Sequence, residues 1–336
     1  MDLGLIIALA LALGYAATNG LQDAANAIAT LVATRAATPF QAILLASVFN
    51  LIGPLLVGAA VADTIAGIVT VSPDEAVMVI GAGIAAAVAW NLITWRLGLP
   101  SSASHALVGG LVGAALLQGG VDAVQWGGMD GLHPVGVFGS LIALAISPVL
   151  GAGAALLVIR GLRRLARRAT RRWDSVTSNG QWVTSAALAF SHGANDAQKS
   201  VGVIAALLLA GGQTDSLETP VWVIPACSIA LTAGTALGGW RIIRTVGQRI
   251  YPITSVDGLA SQSASAGVIL GASFFGAPTS TTQVVASSVV GIGGGRRRWR
   301  HVNWETVKAM GIAWVVTLPA SAILAMAIYA CLLWLT

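Results

Sequence analysis

The chain has 336 residues, of which 56% are hydrophobic and only 9% charged, and its mean hydropathy is +0.81. A soluble domain carries roughly 25% charged residues, so this chain lacks the polar groups to cover a water-facing surface. Disordered, collagen-like, disulfide-stapled and ordinary cytosolic proteins are thereby excluded, and the chain reads as an integral membrane protein. The apolar runs are long and continuous, which argues for helices and against a period-two transmembrane β-barrel. The N-terminus is not read as a signal peptide, because Asp2 stands where a basic region would be. Cys227 and Cys331 sit in apolar runs and read as buried thiols rather than a disulfide framework.

In chain order, apolar segments fall at about 3–34, 39–61, 76–95, 97–118 and 133–159, then at 181–210, 221–240, 253–275, 277–292 and 304–335. Trp126, Trp173, Trp182, Trp222, Trp299 and Trp304 lie near loop ends, as an interfacial belt would. The positive charge is confined to a few loops. Arg160, Arg163, Arg164, Arg167, Arg168, Arg171 and Arg172 form one group, Arg241, Arg244 and Arg249 a second, and Arg296, Arg297, Arg298 and Arg300 a third. The loops 62–75, 119–132 and 211–220 carry only acidic charge: Asp63, Asp74, Glu75, Asp122, Asp130, Asp215 and Glu218. The positive-inside rule makes the first set cytoplasmic and the second external, with both termini external. The clustered arginines therefore report topology and headgroup contact, not nucleic-acid binding.

Each half holds five elements, and charge sign flips between matched loops. An odd number of crossings forces a duplicated half into the membrane upside down, the pattern of an inverted repeat. Local sequence agrees. Asn19-Gly-Leu-Gln-Asp-Ala-Ala-Asn26 lies against His192-Gly-Ala-Asn-Asp-Ala-Gln-Lys199, and Gly98-Leu-Pro-Ser-Ser-Ala-Ser-His105 against Gly276-Ala-Pro-Thr-Ser-Thr-Thr-Gln283. The offsets, 173 residues for Asp23 and Asp196 and 178 for Pro100 and Pro278, nearly coincide. The expected fold is an all-α polytopic membrane protein with two inverted-topology repeats, 1–159 and 181–336. A basic cytoplasmic linker, 160–180, joins them, and each repeat carries a re-entrant or broken-helix hairpin.

All four stretches interrupt apolar segments, which the membrane tolerates only where backbone is buried in protein or lines a cavity. In the two Pro-Ser/Thr stretches a proline and hydroxyls precede an apolar run, a helix N-terminus signal. Ser102, Ser104, Ser280, Thr281 and Thr282 there join free N–H groups and a positive dipole end, which suits an oxyanion. The bland alternative is ordinary capping of a hairpin, which a twofold repetition disfavours. An Asp inside a membrane segment costs about 2.5–3.5 kcal/mol and marks function by default. Asp23 and Asp196 are therefore read as cation or proton-coupling residues, with Asn26 and Asn195 as amide partners. Lys199 takes the place that Asn26 holds in the first half, able to pair with Asp196 or the substrate. His105 and His192 adjoin the clusters and are candidate proton relays. Asp257 and Gln262 precede the second hairpin without an assigned role.

At this point Ser191-His-Gly-Ala-Asn-Asp-Ala-Gln-Lys-Ser-Val-Gly-Val-Ile204 resembles the G-A-N-D signature of the inorganic phosphate transporter (PiT) family. Pro278-Thr-Ser-Thr-Thr-Gln-Val-Val285 is similar to its P-V-S-T-T-H hairpin motif, and Gly291 to Arg300 and Asn19 to Asn26 resemble further family stretches. The resemblance spans essentially the whole chain. It implies secondary phosphate transport by cation symport on an inverted-repeat fold, with both motif pairs lining one central site. Carried over by position, it marks Asp23, Asn26, Ser102, Ser104, Asn195, Asp196, Ser280, Thr281 and Thr282. This sequence departs from the pattern at Gly20-Leu-Gln-Asp, at Ala103 in place of a Thr, and at Gln283 in place of a His.

The function expected is phosphate import into the cell by symport across the plasma membrane, through alternating access at a midplane site. Protons are the favoured coupling ion, because an ammonium at Lys199 disfavours a nearby Na⁺. Sodium near Asp23, Asn26 and Asp196 is the alternative. No cofactor or enzymatic activity is expected. Sulfate or a metal–phosphate complex is the alternative substrate, and a homodimer is left open as the assembly. A passive anion channel and an intramembrane hydrolase are the competing classes. The hydrolase is disfavoured by the mirrored duplication of the polar groups and the lack of G-x-S-x-G or H-E-x-x-H.

Overall fold

The computed structural model describes residues 2–130, 133–166 and 172–335, which form twelve α-helices. The first half holds α1 (Leu3–Ala33), α2 (Pro39–Leu56), α3 (Ala60–Ala66), α4 (Pro73–Leu97), α5 (Ala103–Gly119) and α6 (Gly136–Leu165). The second holds α7 (Arg172–Ala210), α8 (Val223–Leu237), α9 (Trp240–Arg244), α10 (Ser255–Phe274), α11 (Thr281–Gly295) and α12 (Trp304–Leu335). A π-helical turn, Thr245–Arg249, continues α9. The expected segment 39–61 is thus split into α2 and α3, and 221–240 ends in the broken pair α8 and α9. Most of 160–180 is helical, since α6 runs to Leu165 and α7 begins at Arg172. Arg167, Arg168 and Arg171 of the basic group lie outside the described residues.

By length and apolar composition alone, six described helices can cross a membrane, or seven if Val223–Leu237 and Ile242–Arg249 form one bent span. Helices α7, α10 and α11 fall outside that count for a physical reason. Polar residues dilute α7 (His192, Asn195, Asp196, Lys199) and α10 (Ser261, Gln262, Ser265). At 15 residues α11 is about 22 Å long, short of a hydrocarbon core of about 30 Å.

Helix pairing follows the duplication. α1 packs on α4 and α8, while α7 packs on α10 and α2; α5 packs on α12, while α11 packs on α6. Each hairpin turns at a left-handed glycine, Gly98 (φ 68°) after α4 and Gly276 (φ 64°) before α11. A side chain is strained in that conformation, whereas glycine adopts it freely. Each turn leads into a serine N-cap, Ser102 for α5 and Ser280 for α11, which accept from His105 N (3.3 Å) and Gln283 N (3.4 Å).

Two of the acidic loops, 62–75 and 119–132, lie together on one face. Thr70 N donates to Ala123 O at 3.0 Å, and Gln125 N to Ile68 O at 3.0 Å. A short ribbon pairs Gly128–Asp130 with His133–Val135 beyond them, an element the sequence did not announce. The arginine-bearing loops share another face, where Asn303 N donates to Ile250 O at 2.9 Å and Arg296 pairs with the buried Asp257 at 2.6 Å. Cys227 is buried as expected, but Cys331 is exposed. It lies near the end of α12, among exposed Leu333, Trp334 and Leu335 that face outward from the bundle.

Small residues let the two halves interlock, as in other packed membrane helices. A Cβ on Gly20 of α1 would lie 2.0 Å from Leu231 O of α8, and one on Gly193 of α7 would lie 2.5 Å from Asn50 O of α2. Gly193→Ala therefore forces α7 away from α2. It should destabilise the protein by about 1–3 kcal/mol, read as a lower Tm of the purified protein in detergent.

Candidate functional site

Four helices deliver the polar cluster: α1 and α7, which run past it, and α5 and α11, which begin at it. On α1, Asn19, Gln22, Asp23 and Asn26 fall at helical spacing on one face and are at most 3% exposed. On α7, His192, Asn195, Asp196 and Lys199 repeat that spacing and are at most 1% exposed. Carboxylates buried to this degree are tolerated only when paired and hydrogen-bonded.

Lys199 is the junction. Its ammonium donates to Asp196 Oδ1, to Ser104 Oγ at 2.7 Å and to Thr279 O at 2.7 Å. All three of its hydrogens are thereby used. Ser104 lies on the first hairpin and Thr279 on the second, so one cation ties both hairpin tips to α7. Ser104 Oγ also donates to Thr279 O at 3.1 Å.

The hydroxyls of α11 serve the carboxylates. Thr282 Oγ1 donates to Asp23 Oδ1 at 2.6 Å. Thr281 Oγ1 lies 3.0 Å from both Asp23 Oδ2 and Asp196 Oδ2, sharing its single hydrogen between them. Asn26 Nδ2 donates to Thr282 Oγ1 at 3.1 Å. This mirrors Lys199 on Ser104, because Asn26 matches Lys199 and Thr282 matches Ser104 in the duplication. The mirror fails at Ala103, which has no hydroxyl to match Thr281. Thr281 is consequently the one hydroxyl among the described residues of the cluster that reaches both carboxylates.

His192 bridges two amino-acid networks. Its Nδ1 lies 3.0 Å from Asn50 Oδ1, and Asn50 Nδ2 donates to Thr235 Oγ1 at 3.0 Å. With the amide so assigned from its hydrogen bonds, Asn50 offers an acceptor and His192 Nδ1 carries the hydrogen. Nε2 then faces Asp196 Oδ2 at 2.9 Å and Asp23 Oδ2 at 3.9 Å. Two lone pairs at 2.9 Å would repel, so this contact is favourable only with a proton between imidazole and carboxylate. Asp23, His192 and Asp196 also present ligand atoms within 4.8 Å of one another, and Asn26 Oδ1 is a buried oxygen without a partner among the described residues.

The expected residues are therefore not all brought together in one way. Asp23, Asn26, His192, Asp196, Lys199, Ser104, Thr281 and Thr282 form the contiguous cluster. Ser102 and Ser280 are buried at the two helix starts and cap them. Asn195 holds the second hairpin, donating to Ser273 Oγ at 2.9 Å and accepting from Thr279 Oγ1 at 3.2 Å. His105 contacts Ser102 Oγ at 2.7 Å, within its own helix turn. The sequence reading missed Gln22, which donates to Ser101 Oγ at 2.5 Å and thereby holds the first hairpin as Asn195 holds the second. The alignment of the halves could have exposed it, since Gln22 stands against Asn195 and Ser101 against Thr279. Asn50 and Thr235 were also missed, being single polar residues in apolar helices.

A helical membrane bundle in which two buried hairpins meet at paired carboxylates is the architecture of a membrane transporter. The phosphate transporter family model matches residues 19–325, and the chain belongs to that family. A Bacillus subtilis (strain 168) protein described as "probable low-affinity inorganic phosphate transporter" is 40% identical over 331 residues, covering 96% of each chain. Proteins of the same description from Mycobacterium tuberculosis (H37Rv) and Rhizobium meliloti are 40% and 38% identical. The first alignment covers 95% of this chain and 75% of the relative, the second 96% and 94%. A solved structure titled "The sodium-dependent phosphate transporter" superposes with a TM-score of 0.87 at 26% identity, covering 100% of both chains.

Lys199→Met strands Asp196 in the site without its cation. The variant should lose about 3–5 kcal/mol, and K199M combined with D196N should recover part of that loss. Tm measurements on the two purified variants check this.

Proposed function

We propose that the protein imports inorganic phosphate by proton symport, through alternating access around Asp23 and Asp196. The observation that carries this reading is the donation of the Thr281 and Thr282 hydroxyls to Asp23. A hydroxyl has one hydrogen to give. A phosphate seated at the paired N-termini of α5 and α11 takes those hydrogens, aided by N–H groups and helix dipoles. Asp23 is then a buried carboxylate stripped of its donors, and burial without compensation is costly. It regains balance by acquiring a proton or a cation. Anion entry and cation entry are in this way one event, which is what symport requires.

Two features favour the proton. The Lys199 ammonium, already 1% exposed and hydrogen-bonded to Asp196, supplies a fixed positive charge that repels a nearby Na⁺. The 2.9 Å approach of His192 Nε2 to Asp196 Oδ2 supports a proton carried within the cluster. Sodium is the second reading. It is favoured by the name of the solved structural relative and by the oxygens of Asp23, Asp196 and Asn26, a donor set for a hard cation. The protein would sit in the plasma membrane with the arginine-rich face cytoplasmic and both termini outside. Residues 1–159 and 181–336 would act as the two inverted repeats.

Radiolabelled phosphate uptake into proteoliposomes tests the reading. An inward proton gradient at equal sodium should drive accumulation, and an inward sodium gradient at clamped pH should not. Accumulation that needs sodium and ignores the pH gradient refutes proton coupling, and sulfate uptake that phosphate leaves uninhibited refutes the substrate. Flux that neither saturates nor responds to either gradient would identify a channel.

Thr282→Val removes a donor shared by the substrate site and Asp23 while keeping side-chain volume. Initial uptake should fall by about tenfold or more, the effect of roughly 1.4 kcal/mol, with folded protein still obtained in detergent.

A further inference from the structure

The polar residues do not stop at the transport cluster. Along α1 and its C-cap residue, Asn26, Thr30 and Thr34 recur every four residues, stacking along one face in steps of about 6 Å. Thr30 is buried and accepts from Gln262 Nε2 of α10 at 2.8 Å. Gln262 Oε1 in turn accepts from Thr184 Oγ1 of α7 at 2.5 Å. One turn further out, Thr34 Oγ1 lies 2.9 Å from both Gln181 Oε1 and Thr30 O, sharing its single hydrogen between them. Gln181 Nε2 is buried and has no acceptor among the described residues. Hydroxyls and amides therefore form a column from Asn26 to Thr34 where α1, α7 and α10 meet, ending beside the exposed Arg35.

The mirrored half does not repeat this column. At the offset that relates Asp23 to Asp196, Thr30 matches Val203, Thr34 matches Leu207, Gln181 matches Ala8 and Thr184 matches Leu11. All four belong to, or pack against, the hydrophobic cluster on the opposite side of the site. The fold thus packs these positions with apolar side chains where it can. Thr30, Gln181 and Gln262 are fully buried and Thr34 and Thr184 half-buried, and the orphaned Gln181 Nε2 is a desolvated donor that a purely structural seam leaves uncompensated.

We propose that the Thr30–Thr34–Gln181–Thr184–Gln262 seam is the inward half of the translocation path, and that Val203 and Leu207 belong to the outer seal. The seam passes an oxyanion, inorganic phosphate in the reading above, from Thr281 and Thr282 to the arginine-rich face. This inference rests on that reading and on that face being cytoplasmic. Neutral donors suit the task, because a conducted ion must bind well enough to enter and weakly enough to leave. The unpartnered Gln181 Nε2 is the donor available for the last step.

Matched cysteines test it in a protein lacking Cys227 and Cys331. The variants T30C and V203C form one pair, Q181C and A8C the other. Each is reconstituted, and a membrane-impermeant thiol reagent is applied at the arginine-rich face during turnover. T30C and Q181C should react about tenfold or more faster than their mirror partners, a difference of roughly 1.4 kcal/mol in access. Equal or reversed rates overturn the proposal. Labelling does not require phosphate to be the substrate, so failure of the path and failure of the phosphate reading are separable. Gln262→Leu gives a second readout. Its maximal uptake per folded molecule should fall about tenfold with half-saturation unchanged. Wild-type turnover, or a loss confined to the yield of folded protein, overturns the proposal.

Discussion

The contact on which the site depends is the Lys199 ammonium, held by Asp196 and shared between Ser104 of one hairpin and Thr279 of the other. An isolated ion at this depth would carry a desolvation penalty of several kcal/mol. Here the ammonium is paired with Asp196, and its two remaining hydrogens have acceptors in Ser104 and Thr279. The hairpin tips are consequently fixed relative to α7 by the same group that neutralises its carboxylate. Geometry and charge balance are one constraint, and a change to either reaches both hairpins.

The duplication explains much of the rest, and its breaks are where the two halves take different roles. Asn26 on Thr282 and Lys199 on Ser104 are mirror contacts, as are Gln22 with the first hairpin and Asn195 with the second. Ala103 breaks the mirror at a hydroxyl and loads Thr281 with two carboxylates. Lys199 breaks it at a charge and gives α7 the cation that α1 lacks. His192 breaks it opposite Asn19, bringing a ring that Asn50 orients toward Asp196. The threonines and glutamines along the arginine-rich end of the α1–α7–α10 seam break it once more, facing apolar counterparts on the other side.

Much of this was legible in the sequence. Charge sign in the loops, the odd count of elements and two motif pairs at nearly one offset specified an inverted duplication. The cost of placing Asp in a membrane singled out Asp23 and Asp196. Other features were not legible because they depend on groups distant in the chain. Asn50 and Thr235 are unremarkable polar residues until α2 and α8 come together around His192. The capping bonds that Ser102 and Ser280 accept from the first turns of their own helices became visible only in the structure. Residues 39–61 read as one apolar run, yet the chain interrupts it between Leu56 and Ala60.

Composition and periodicity act locally, through the transfer of side chains and backbone between water and lipid. The sequence alone therefore determined that the chain is helical and membrane-embedded, and it pointed to an inverted duplication and to four interrupted stretches as the place of its chemistry. Hydrogen bonds have a direction and a single hydrogen to give, and the partners that join different helices in the cluster and the seam lie 78 to 259 residues apart. Only the tertiary structure could decide that Thr281 and Thr282 are given to Asp23, that Lys199 closes the two hairpins together, and that the polar seam runs to one face of the bundle but not the other.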